Sequence, residues 1–119
     1  AAGTATPIYQ IRIGANQTTA DTSRLSLTGL AQTAAVDQAV INIYATMRSV
    51  GASGVMEGAA ELSHQLAATG FANNNASVVF GTSAAFDNSN LGGQYIGLSV
   101  NGGASAAWTV TQVRVEAKW

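Results

Sequence analysis

The sequence predicts an all-β protein, an antiparallel β-sandwich of about seven or eight strands. Three observations predict it. Apolar and polar residues alternate at period two in one segment after another. These segments recur every 8 to 15 residues or so, with Gly, Asn and Ser between them. The single proline, Pro7, stands just ahead of the first segment, where it removes no ladder hydrogen bond.

The first segment, IYQIRI, sets Tyr9, Ile11 and Ile13 on one face and Ile8, Gln10 and Arg12 on the other. RLSLTGL follows with Leu25 and Leu27 in phase. In AVINIYATMR, Ile41, Ile43, Ala45 and Met47 oppose Asn42, Tyr44, Thr46 and Arg48. SVVFGTSAAF and QYIGLSV continue the pattern, the second with Ile96, Leu98 and Val100 in phase. Residues 101–103, NGG, accept positive φ and predict a hairpin return nearby.

Two segments leave a choice. VMEGAAELSHQLAATG is rich in helix formers, and Met56, Ala59, Ala60, Ser63 and Leu66 make a tolerable helical stripe. The same residues alternate cleanly as a strand, and Gly58 disfavours a helix by about 1 kcal/mol relative to Ala. A strand is favoured. The closing AAWTVTQVRVEAKW predicts a last strand with a change of phase. Trp108 and Val110 share one parity; Val113, Val115, Ala117 and Trp119 share the other. Either a bulge near Thr111 and Gln112 keeps both sets inward, or the strand passes from the core to a surface between subunits.

The 119 residues predict one domain over residues 1–119, with 1–7 a linker or turn. The opening AAGTATP, without an initiator methionine, suggests the C-terminal part of a longer chain. Charged residues are 9% of the sequence against about 25% in soluble domains, and the formal net charge is -1. That leaves no electrostatic footprint for nucleic acid or an anionic membrane. No apolar run approaches the roughly 20 residues that span a bilayer, so membrane insertion is not expected. The absence of cysteine excludes disulfides, and one histidine removes the ordinary zinc clusters. Little charge also leaves a lone chain poorly protected against association.

GTATPIYQIRIGANQTTADTSRLSLTG, RSVGASGVMEGAAELSHQLAATGFANN and SAAFDNSNLGGQYIGLSVNGGASAAWTVTQVRVEA together resemble a C-terminal domain common in virion structural, tail-fibre and appendage proteins of tailed bacteriophages. The resemblance spans nearly the whole chain and lies in strand and turn phrasing. It implies a jelly-roll-type sandwich forming a homotrimer at a fibre tip or on the capsid, within the virion. The partners it implies are other copies of the chain, further virion proteins and a host surface glycan. Aromatic anchors dominate such contacts, which makes Tyr9, Trp108 and Trp119 candidates for the interface between copies. Trp108 fits a core position as well.

Chemistry is weakly signalled, and neither an enzyme nor a cofactor is expected. Ser63, His64 and Asp87 have the residue types of a triad, but no GxSxG elbow is present, and on a strand Ser63 and His64 point to opposite faces. His64 falls on the apolar phase, as a hydrogen-bonded core or interface histidine would. Glu57 and Glu61 on one strand lie about 13 Å apart, too far for a glycosidase pair. FDNSNLGG offers Asp87, Asn88, Ser89 and Asn90 as oxygen donors, which fit Asx-type turns better than a calcium cradle. The sharpest binding expectation is a glycan site. Asn73, Asn74 and Asn75 would supply amides, and Phe71 or Tyr95 a stacking ring. A lectin-like module and a capsid decoration or cement protein are therefore the alternatives to a fibre-tip domain.

Overall fold

The computed structural model describes residues 6–29, 31, 35–65, 78–102 and 109–116. Six strands run through them: β1 (Ile8–Gly14), β2 (Thr22–Thr28), β3 (Ala39–Ser49), β4 (Val55–His64), β5 (Val78–Thr82) and β6 (Tyr95–Asn101). They form two antiparallel three-stranded sheets, ordered β2-β1-β6 and β3-β4-β5. The described residues contain no helix. β2 lies against β4 and β5, so the sheets meet face to face in the manner of a sandwich.

The alternation read from the sequence decides the faces. Tyr9, Ile11 and Ile13 of β1 and Leu25 and Leu27 of β2 are buried, joined by Met56 and Ala60 of β4 and by Phe86. Ile41, Ile43, Met47, Val79 and Val100 pack around this cluster half-buried. Val55–His64 is a strand, as favoured, and Gly58 gives the reason. A Cβ there would stand 2.5 Å from the Tyr44 carbonyl oxygen and 2.6 Å from Leu25 Cδ2. Gly81, paired with Gly58 across the ladder, would put a Cβ 2.9 Å from Leu27 Cδ2. The two glycines make a notch that admits both leucines.

Local devices hold the connections. The β1–β2 register shifts between Ile11 and Arg12, leaving Arg24 with no residue opposite it. Arg24 instead lays its guanidinium over the Phe86 ring, 4.9 Å from the centroid. Buried Asn88 clips the β3–β4 turn: its Oδ1 accepts from the Gly51 N–H at 2.8 Å, and its Nδ2 donates to the Ser49 carbonyl at 2.8 Å. Pro7 is fully buried, and its carbonyl accepts from the Gly29 N–H.

The C-terminal expectation is corrected. Residues 109–116 form no strand and are exposed throughout. An isolated alternating segment gains no stability until a ladder or an apolar face receives it, and none of the described strands does so.

Candidate functional site

β6 is the terminal strand of its sheet among the described residues. Directly opposed residues in an antiparallel pair share a face. Val100, Leu98 and Ile96 stand opposite Tyr9, Ile11 and Ile13, so all three face inward. Their partners on β1 are buried, yet Ile96 is 66% and Leu98 46% exposed. Among the described strands only β1 packs closely against β6. The other strand ends differ: the inward Leu25 and Leu27 of β2 are covered, and inward Ile41, Ile43 and Val79 of β3 and β5 are half-buried.

A second apolar surface lies on the outer face of the β3-β4-β5 sheet. Tyr44, Ala59 and Phe80 form one cross-strand row, with Tyr44 58% and Phe80 80% exposed. The neighbouring row carries Thr46, Glu57 and Thr82, and Glu57 pairs with Arg48 at 2.5 Å. Sequence reasoning placed Tyr44 on the polar phase and assigned Phe80 no role. The signal was present, since an aromatic on the polar phase of two neighbouring strands is a surface feature.

Beside β6, a cleft of about 400 Å³ is lined by Arg12, Gln17, Thr18, Thr19, Asp21 and residues 95–99. Arg12 organises it, donating to Ser99 Oγ at 2.9 Å, to the Thr19 and Asp21 carbonyls at 2.9 and 2.6 Å, and to Gln10 Oε1 at 2.7 Å. Asp21 Oδ1 accepts from the backbone and side-chain N–H groups of Asn16, at 2.9 and 3.0 Å. Hydrogen bonds led by the Asn16 backbone N–H hold the Asp21 carboxyl below its usual range, against the opposing effect of burial. Gly14 leaves room for this carboxylate: a Cβ there would stand 2.1 Å from Asp21 Oδ1, so a larger residue would displace it.

The predicted site residues divide. Tyr95 is half-exposed at the mouth of this cleft. Tyr9, a candidate contact between copies, lies inside the chain's own core at 3% exposure. Its place opposite Leu27 and Val100 turns the ring inward, and burial pushes its phenol up to about 12. Trp108, Trp119, Phe71, Asn73, Asn74 and Asn75 lie outside the described residues.

The other polar groups serve turns and packing. His64 Nδ1 is 2.8 Å from Asp37 Oδ2, with both side chains almost fully covered. Asp37 is the partner that the sequence reading missed, and its Oδ1 also accepts from the Gln38 N–H. Ser63 points to the opposite, exposed side of β4. Asp87 Oδ1 accepts from both the N–H and the hydroxyl of Ser89, at 3.0 and 2.6 Å. Asn90 Oδ1 accepts from the Gly92 N–H at 3.0 Å. These are Asx turns. Among the described residues, no three His, Cys, Asp or Glu side chains gather as a metal site.

The fold and these surfaces define an all-β protein with two antiparallel three-stranded sheets, each carrying exposed apolar side chains. Comparison with protein-family models, with curated proteins and with solved structures found no match.

Proposed function

We infer that this chain is a non-enzymatic structural domain that works as an oligomer, a homotrimer of jelly-roll-type sandwiches in a bacteriophage virion. Its role is assembly of a fibre or appendage tip and attachment to the host. The observation that carries the oligomer is the inward side of β6, where Ile96 and Leu98 lie open although their partners on β1 are core residues. Uncovered core-phase side chains call for a further surface, and closed symmetry supplies one without leaving a free end.

The virion setting rests on the phrasing of strands and turns described above. Sedimentation or light scattering at micromolar concentration tests the oligomer. A mass of three chains is expected, and a stable monomer overturns the proposal.

A carbohydrate-binding module is the second reading, favoured by one observation. Tyr95 borders a cleft that also presents Gln17, Thr18 and Thr19, a stacking ring beside hydrogen-bonding groups suited to sugar hydroxyls. Glycan-array binding that disappears with Tyr95→Ala, or with changes at Asn73, Asn74 and Asn75, would favour it. Particles that lose the appendage while no glycan binds would favour the first.

A further inference from the structure

We propose that residues 109–116 of one copy add as a strand beside Ile96 and Leu98 of β6 in a neighbouring copy, along the edge that no described strand occupies. The inference rests on the oligomeric reading and names the donor segment and the surface that receives it.

Two incomplete parts of the chain match. β6 has one edge paired with β1 and another that meets none of the described strands. An open strand edge presents unpaired N–H and C=O groups, a template for an added strand. Residues 109–116 have the complementary defect. They make no ladder, and Val110, Val113 and Val115 are 62, 62 and 78% exposed.

The phases agree as well. β6 carries Ile96, Leu98 and Val100 inward, and Tyr95, Gly97 and Ser99 outward beside Gln10 and Arg12. In the donated segment Val113 and Val115 alternate with Arg114 and Glu116, which pair with each other. One register parity sets both valines beside Ile96 and Leu98 and both charged residues on the polar outer face. The opposite parity would turn both of these valines outward and both charged residues inward; Val110, of the other parity, joins the inward set only through a bulge near Thr111 and Gln112.

β6 receives the segment in preference to other edges because its inward side chains are the barest. Leu25 and Leu27 of β2 need no further cover, being 1% exposed. Each copy owns one donor segment and one acceptor edge. Reciprocal or cyclic donation therefore closes the assembly with every donor segment and every β6 acceptor edge used.

The chain lacks cysteine, so introduced thiols report without background. The test oxidises full-length protein carrying one cysteine on β6 (Ile96→Cys or Leu98→Cys) and one on the segment (Val113→Cys or Val115→Cys). Covalent dimers and larger multiples on a non-reducing gel are expected for at least one pairing. The Leu98→Cys, Arg114→Cys control, out of phase, should give several-fold less. Hydrogen exchange on the unmodified protein provides a readout that needs no variant, and amides in 110–116 should be protected. Cross-links only within single chains overturn strand donation. So do exchange at unstructured rates, or no in-phase cross-link in protein of oligomeric mass; these two leave the oligomer itself standing. A monomeric wild type overturns both.

Discussion

Leu25 on β2 drives its Cδ2 to 2.6 Å from the point where a Cβ on Gly58 of β4 would sit, so the sheets touch through a glycine. Gly58 faces Gly81 across the β4–β5 ladder, and the notch they form seats the two most deeply buried leucines. At this notch the core sets large side chains of β2 against glycines of β4 and β5. Such interdigitation leaves little tolerance for added volume.

Gly58→Ala should consequently destabilise the fold by about 1–3 kcal/mol, as overpacked cores do. The Tyr44 carbonyl oxygen, 2.5 Å from the new Cβ, is backbone and cannot swing aside. Trimming Leu25 to Val should relieve part of the strain, making the double variant less damaged than the sum of the singles. Urea denaturation midpoints measure all three. A Gly58→Ala protein as stable as the wild type would refute the notch.

Asn88→Ala should cost about 1–3 kcal/mol, because it removes both hydrogen bonds by which the buried Asn88 amide joins the Gly51 N–H to the Ser49 C=O. Thermal melting gives the magnitude, and faster hydrogen exchange at Gly51 localises it to the β3–β4 turn. Unchanged exchange there would show that the clip is dispensable.

The legible part of the fold follows from one physical fact: period-two alternation survives wherever one face is buried. It gave Tyr9, Ile11 and Ile13, Leu25 and Leu27, and the strand at residues 55–64. The same reading took residues 109–116 for a strand, since alternation records that a face wants covering without recording who covers it. Tyr9 shows the converse: a large aromatic suits an interface or a core equally, and only its cross-strand neighbours decide. Arg12, Asp37 and Asn16 went unnoticed because their partners are carbonyls, turns and a distant histidine, which leave no periodic trace. Asp87 and Asn90 were readable, since an Asx turn is local.

Asp21 should impose an acid limb on stability. Its folded-state pKa lies below the usual aspartate range, held there first by the Asn16 backbone N–H. The sign follows from linkage: the contribution is complete above the unfolded-state pKa and is lost as pH falls through the lower folded value. Melting temperatures measured from pH 5 downward should decline below about pH 4, and Asp21→Asn should remove that part of the decline. A wild type and variant with parallel acid profiles would exclude Asp21 as the cause.

Tyr9 should produce the opposite limb. Burial raises its phenol to about 12 from 10.0, so the fold favours the neutral form. Stability linked to it is constant below the unfolded value and is lost as pH rises from about 10 through the folded pKa. Ultraviolet absorbance during alkaline titration should contain one late tyrosinate component, absent from Tyr9→Phe. A Tyr9→Phe titration that keeps the late component would place the ring somewhere other than the core.

Ile96 and Leu98 allow assembly to be separated from folding. Both are core-phase residues by register, yet in the single chain they remain 66% and 46% exposed. Truncating a side chain that folding does not bury removes little stability, typically within about 0.5 kcal/mol. Ile96→Thr keeps and Leu98→Thr introduces the β-branched character a strand prefers, so β6 should persist in the combined variant. Its oligomer should nevertheless dissociate at concentrations where the wild type stays assembled, as sedimentation would show. Ile13→Ala is the contrast: at 2% exposure it sits in the core and should cost about 2–5 kcal/mol of folding stability. If the threonine variant unfolds as readily as Ile13→Ala, the inward face of β6 belongs to the chain's own core. If it stays assembled and folded, copies of the chain do not meet there.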